Sequence, residues 1–332
     1  MILLSDLKPN KISVDLTQYS MMLSGDTGDG KTTCMLKFLK SICPDKEPLF
    51  LEFEDRFQNI PNIVAVRIRE MSDLKSIVNQ LNNPALKEKF SCVVIDTIDK
   101  FEEFGEKYVT DSRDAEIIKD VGTYGEGTQR YRSVLRTIGD IQKLGYVVHF
   151  IAQNVHSKVK VDKTEYDVTT LKLNKNTASY VSEPSYLIGR LIYDEVQNKR
   201  FVTFKKSRLN PNLKDTFGLP DVINVDELKD VWTKTIENKY GSSITNEQTI
   251  DRTVVHEDFE EIKKRGMELG NLLAKNGRVE EATAVLKRNL GIDDNGNVKM
   301  FDSLKENQIE LTKVIVIELE GLVDKYITNN NN

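Results

Sequence analysis

The chain reads Gly25-Asp26-Thr27-Gly28-Asp29-Gly30-Lys31-Thr32 directly after the apolar run Tyr19-Ser20-Met21-Met22-Leu23. This spacing, G-x-x-x-x-G-K-[ST], can hold a polyphosphate. The glycines let consecutive backbone N–H groups turn inward on phosphate oxygens. The helix expected to follow adds the positive end of its dipole. In that reading Lys31 reaches the β- and γ-phosphates, the Thr32 hydroxyl ligates Mg²⁺, and Thr33 completes the binding segment. The nucleotide implied is ATP. The competing reading of the same residues is a glycine-rich surface turn.

A metal held by one hydroxyl and phosphate oxygens needs a carboxylate behind it. "FSCVVIDTID" runs apolar residues into Asp96 at the end of an expected strand, where ligands bind in open parallel sheets. Asp96 is favoured over Asp99, which is expected to begin a helix. Hydrolysis also needs a group to polarise water. In many ATPases that Glu directly follows the metal Asp, but here Thr97 stands there. "PLFLEFEDRF" offers Glu52, Glu54 and Asp55 instead, with Leu51 and Phe53 on the opposite face. Glu54, at the expected strand end, is the preferred base. "VVHFIAQ" ends another buried strand at Gln153, whose neutral amide can bind a γ-phosphate and report its presence to the segment that follows. His149 reads as a packed core residue. His156 reads either as a phosphate contact or as a solvated loop residue.

Elements that place these groups are legible up to about Leu219. "YSMML", "LFLEF", "IVAVRI", "CVVID", "YVVHFIAQ", "YLIGRLIY" and "RFVTFKK" are strand-like, and "KTTCMLKFLKSI" is helical. "QRYRSVLRTIGDIQKLG" has helical spacing and ends at Gly145. Apolar runs alternating with helices predict a mostly parallel central sheet covered on both faces, an α/β core. Beyond it the chain turns polar, then strand-poor, with apolar residues at three- and four-residue spacing. The predicted organisation is a core over 1–235, a linker over 236–256, a small all-α domain over 257–328 and a disordered tail over 329–332. "GIDDNGNVKMFD" has the flavour of a calcium loop. With Gly296 at the obligatory glycine, Gly291 takes the place of the first carboxylate, so a helix-linking turn is expected.

The chain has 332 residues, 39% of them hydrophobic and 30% charged, enough for a core and a soluble surface. A formal net charge of −5 argues against a uniformly basic nucleic-acid coat and leaves room for a local basic stripe. Cys34, Cys43 and Cys92 have neither disulfide nor metal-ligand spacing, which points to a reducing, cytoplasmic setting. No apolar run reaches membrane-spanning length, so no membrane partner is expected.

Taken together, the cradle, a Glu ending the second strand, a metal Asp without a following Glu and a strand ending in Gln resemble the RecA-like P-loop ATPase core. "FLEFE" resembles the strand end that carries that family's catalytic Glu. Ala152-Gln153 is similar to its Asn-Gln pair, with the Asn missing. Lys205-Lys206-Ser207-Arg208 is similar to the Lys-Asn-Arg motif of RadA-type relatives, which implies that Lys206 and Arg208 act across a subunit interface on a neighbour's nucleotide. The compact core, "YGEGTQRYRSVLRTI" and the "LP" after the basic strand resemble phage-encoded ATP-binding proteins of the RecA-like single-strand-annealing group. The resemblance spans about Ser13 to Val225.

It implies a DNA-stimulated ATPase that binds single-stranded DNA and promotes annealing or strand exchange in phage recombination, in a bacterial host's cytoplasm. It further implies a homo-oligomer, ring or filament, and a recombination partner for the C-terminal helices. The alternatives are a replicative helicase or helicase loader, and a nucleotide-gated interaction module with little turnover. The family's two DNA-binding loops fall at about 109–132, with Arg130 and Arg132, and at about 155–183, with Lys158, Lys160, Lys163, Lys172 and Lys175. Tyr166 and Tyr180 interleave with the lysines, as stacking platforms on a phosphate track do. Asp162, Glu165, Asp167 and Glu183 oppose them, which fits a solvated polar loop instead.

Overall fold

The computed structural model describes residues 12–54, 57–123, 125–161, 164–241 and 258–328. The chain divides into two compact units, Met1–Val254 and Val255–Asn332.

In the first unit the strands are β1 (Met21–Gly25), β2 (Glu47–Glu52), β3 (Val64–Arg67), β4 (Phe90–Asp96), β5 (Val147–Val161), β6 (Thr164–Leu171), β7 (Leu187–Asp194), β8 (Lys199–Thr203), β9 (Lys214–Asp215) and β10 (Ile223–Asn224). The helices are α1 (Lys31–Ile42), α2 (Met71–Leu81), α3 (Pro84–Lys89), α4 (Ile98–Asp111), α5 (Glu126–Lys143), α6 (Lys175–Ser182) and α7 (Leu228–Tyr240). The sheet order is β10-β8-β7-β1-β5-β4-β2-β3. Strands β1, β2, β3, β4, β5 and β7 run parallel, while β8 returns antiparallel on β7. This is the mixed α/β core with a mostly parallel sheet that the alternating pattern predicts.

Both faces are covered, which is why the strands read as continuous apolar runs. Along β4 successive side chains alternate between two cores. Val93 and Ile95 pack with Phe101, Tyr131 and Ile138 of α4 and α5. Cys92 and Val94 pack with Met35, Phe38 and Leu39 of α1 and Trp232 of α7. Cys34 and Cys92 are thus buried small hydrophobes, and the three cysteines are free thiols.

Two boundary expectations are corrected. A linker from residue 236 does not hold, because α7 continues to Tyr240. Ile236 lies one helical turn beyond Trp232 on the same face, and both are fully buried. Among the described residues, the second expected DNA loop, 155–183, is mostly regular secondary structure. Strand β5 runs on past the sheet to Val161 and pairs antiparallel with β6, and α6 follows. The first expected loop, 109–132, contains the end of α4 and the opening turns of α5, which carry Arg130 and Arg132. Asp55, Asp162 and Lys163, with most of the polar stretch after Gly241 and the 329–332 tail, lie outside the described residues.

The second unit comprises α8 (Phe259–Lys275), α9 (Val279–Leu290) and α10 (Ile309–Val323) around Leu273, Ile315 and Leu319. Asp258 caps α8 by accepting the Glu260 N–H at 2.8 Å. The Asp-Asn-Gly segment between α9 and α10 is a turn in which Asp293 Oδ1 accepts the N–H groups of Asn295 and Asn297 at 2.9 and 2.8 Å. Among the described residues no helix is long and apolar enough to cross a membrane.

Candidate functional site

The site lies at the C-terminal ends of β1, β2, β4 and β5. Strand β1 ends at Gly25, the glycine-rich segment turns, and α1 begins at Lys31. Gly28 and Gly30 have φ of +96° and +83°, conformations that L side chains rarely adopt. Lys31 is buried. Its Nζ donates to the carbonyls of Gly25 and Asp26 at 3.0 and 2.8 Å. Burial holds its pKa below the ordinary 10.5, opposed by the charges of Asp29, Asp96, Asp99 and Asp26.

Strand β5 lies between β1 and β4, so Gln153 stands beside Gly25. The strand carrying Asp96 is therefore two places from the cradle strand, about 10 Å away. Thr32, at the start of α1, spans that gap: its Oγ1 donates to Asp96 Oδ2 at 2.6 Å. Asp96 lies level with Glu52 of β2, and the two buried carboxyl groups are hydrogen-bonded. Burial first, then the neighbouring Asp96 charge, raises the Glu52 pKa, and burial raises that of Asp96 as well, so the pair favours holding a proton. Glu52 Oε1 has no hydrogen-bond partner. Glu54, two residues beyond, is half-buried and accepts from Gln153 Nε2 at 3.4 Å.

These groups line one cleft: Thr27, Gly28, Gly30, Lys31, Thr32 and Thr33 on the cradle side, Glu52, Glu54, Asp96 and Gln153 on the other. Phe57, Asn59, Ile60 and Thr97 complete its wall. Among the described residues no cluster of three or more His, Cys, Asp or Glu side chains could hold a metal alone. One hydroxyl bonded to one carboxylate fits Mg²⁺, which takes few protein ligands and completes its shell with phosphate oxygens and water. The chemistry such an ion supplies is charge neutralisation on the phosphates.

The remaining cradle residues, Gly25, Asp26 and Asp29, do not line the cleft. Asp29 Oδ2 accepts the Asp26 N–H at 2.7 Å, and Asp26 Oδ1 meets His156 Nε2 at 2.8 Å. His156 Nδ1 meets Thr169 Oγ1 at 3.1 Å, so this histidine ties the β5–β6 hairpin to the phosphate loop.

Several expected residues lie elsewhere. Lys206 and Arg208 do not line the cleft. Lys206 borders a separate hollow with Phe204, Leu213 and Lys214. The lysines expected on DNA are set among carboxylates. Lys158 faces Asp167 across the hairpin and lies 3.9 Å from Glu165, which faces Lys160. Lys172 donates to Glu103 at 3.4 Å, and Lys175 opens α6. Arg130 pairs with Glu126 at 2.8 Å, and Arg132 donates to Asn176 at 3.3 Å.

Two carboxylates have roles that the sequence does not disclose. Glu52 reads there only as a rival base. Asp99 is buried, and its Oδ1 accepts the Gln153 N–H at 3.0 Å, fixing the end of β5. The Asp96–Asp99 spacing is a visible signal. The partner, 54 residues away, is not.

Residues 17–212 match a family model described as an AAA domain. Over 299 residues the chain is 24% identical to the SPbeta prophage-derived uncharacterized protein YorG of Bacillus subtilis (strain 168), across 84% of this chain and 87% of that one. Among solved structures, the RadB recombinase is 15% identical with a TM-score of 0.33, covering 58% of this chain and 83% of its own. The flagellar accessory protein FlaH from Methanocaldococcus jannaschii is 8% identical with a TM-score of 0.30, covering 62% and 84%.

Proposed function

The chain belongs to the AAA-domain family, and from that premise we propose that it is a RecA-like, Mg²⁺-dependent ATPase that binds single-stranded DNA and promotes annealing or strand exchange in phage recombination. One observation carries the ATPase part: a phosphate loop with its lysine, the Thr32–Asp96 pair, Glu54 and Gln153 share one cleft. In this reading the loop N–H groups and Lys31 bind the triphosphate, and Thr32 and Asp96 hold the ion's water shell. Glu54 takes the proton of the attacking water, and Gln153, bonded to Glu54, senses the γ-phosphate. The phage setting draws on the prophage relative.

The oligomeric part draws on the resemblance of Lys205-Lys206-Ser207-Arg208 to a motif that acts across a subunit interface, since Lys206 and Arg208 do not line this chain's own cleft. In this reading the chain forms a ring or filament and the C-terminal helices engage another recombination protein. A nucleotide-gated interaction module is the second reading, favoured by the carboxylates that face the hairpin lysines. ATP turnover measured with and without single-stranded DNA decides between them. Stimulation is expected from the first reading. Binding with negligible turnover under both conditions would leave the module. Annealing and fork-unwinding assays then separate recombination from a helicase or helicase loader.

A further inference from the structure

Strand β1 pairs with β7 only as far as Ser24 opposite Arg190. Beyond that point Leu191–Asp194 and their β8 partners continue as a hairpin past the end of β1. On this hairpin Arg200 lies directly opposite Tyr193, its guanidinium carbon 5.1 Å from the ring centroid. Its Nε donates to the Asp29 carbonyl at 2.7 Å. The hairpin thus holds the phosphate loop by its backbone, at the residue before Gly30.

A trans peptide is planar, with its C=O and the following N–H pointing in opposite directions. Anchoring the Asp29 carbonyl toward Arg200 therefore turns the Gly30 N–H the other way, toward the cleft that Gly30 lines. The guanidinium also packs closely on Gly30. A Cβ on that residue would meet Nε at 2.9 Å and Cζ at 3.2 Å, besides the strain of φ +83°. Arg200 does not itself line the cleft. Whatever it does for a ligand it does through the loop and through its charge behind it.

We propose that Arg200 is a positioning residue for the phosphate loop: it orients the Asp29–Gly30 peptide so that the Gly30 N–H serves the polyphosphate of a bound nucleotide. Stacking on Tyr193 holds the guanidinium in the plane that this bond requires. The second fixed cation of the loop, after Lys31, then comes from the same chain. The ligand class is the polyphosphate itself, independent of the base.

The proposal rests on the reading of this cleft as a nucleotide site, and the experiment separates the two. Dissociation constants for ADP and for inorganic tripolyphosphate are measured on the wild type and Arg200→Ala, with the melting temperature of the unliganded protein alongside. A wild type that binds neither ligand refutes the nucleotide reading. Given wild-type binding, both ligands are expected to weaken by about tenfold in Arg200→Ala, the scale of one charge-assisted hydrogen bond, with little change in melting temperature. Unchanged affinity for both would overturn the proposal. So would weakened ADP with unchanged tripolyphosphate, because Arg200 would then serve the base. If Arg200→Ala does not fold, Arg200→Gln is read by the same criterion.

Discussion

Glu52 and Glu54 are two residues apart and line the same cleft, yet the structure gives them different chemistry. Glu52 is buried against Asp96, and burial with the Asp96 charge raises its pKa, which favours a proton on the pair. A carboxyl group that already carries its proton cannot accept another from water. Glu54 is half-buried and accepts a hydrogen bond from the neutral amide of Gln153. Glu54→Gln should therefore remove a general base, worth about 10²- to 10⁴-fold in rate, or about 3–5 kcal/mol of barrier. Glu52→Gln replaces the carboxyl with an amide of the same shape that can donate to Asp96 and does not titrate. Its rate should stay within about tenfold of wild type, since the exchange leaves no further buried group unpaired. The assay is single-turnover phosphate release from enzyme in excess over ATP, with nucleotide binding measured separately on each variant. Glu54→Gln should bind ATP and retain it unhydrolysed. Normal hydrolysis by Glu54→Gln together with an inactive Glu52→Gln would refute both the choice of base and the proton assignment.

Lys31→Ala should lose nucleotide binding: ADP at about a hundredfold its wild-type dissociation constant should stabilise the wild type by about 2.7 kcal/mol and the variant not measurably in thermal melts. Mixing Arg208→Ala with Lys31→Ala chains should restore part of the ATPase activity, since each supplies what the other lacks; no rescue with a strictly monomeric wild type would count against action in trans. Replacing Lys158 and Lys160 with Gln should lower the slope of log affinity for single-stranded DNA against log salt by about 0.7 for each phosphate no longer neutralised; an unchanged slope would move the DNA path off the hairpin. His149 is buried, its Nδ1 accepting the Met21 N–H at 3.2 Å, and burial lowers its pKa from 6.5 to about 4. The unfolded chain then binds the proton that the folded one refuses, so stability should fall as pH drops from 6.5 toward 4, by about 3 kcal/mol in all, and His149→Gln should flatten that part of the melting curve.

The cradle is readable from sequence because its chemistry is local. Glycines, lysine and threonine stand at fixed offsets, and "KTTCMLKFLKSI" coincides with α1 residue for residue. Asp96 and Gln153 are readable because each closes an apolar run, and a parallel strand exposes its C-terminal end. The β5–β6 hairpin reads as a loop although "VHSKVKV" and "TEYDVTT" alternate at the strand period. Exposed on both sides, the segment mixes Val155 and Val159 with lysines, and the charges mask the period. Arg200 and Asp99 are illegible for a different reason. Their partners lie 171 and 54 residues away in sequence, and only the sheet order brings them together.

That order also explains how an acidic chain makes a place for an anion. Lys31 feels Asp26, Asp29, Asp96 and Asp99, and unscreened they would repel a triphosphate. Each is occupied. Asp29 takes the Asp26 N–H, Asp26 meets His156, and Asp99 takes the Gln153 N–H. Asp96 receives the Thr32 hydroxyl and is hydrogen-bonded to Glu52. Most of these bonds join different elements of the fold, so the charges that tame the site are also the ties that align it. A substitution at Asp99 or His156 therefore perturbs more than one charge. It frees a strand end or a hairpin from the loop, and the geometry of the cleft follows.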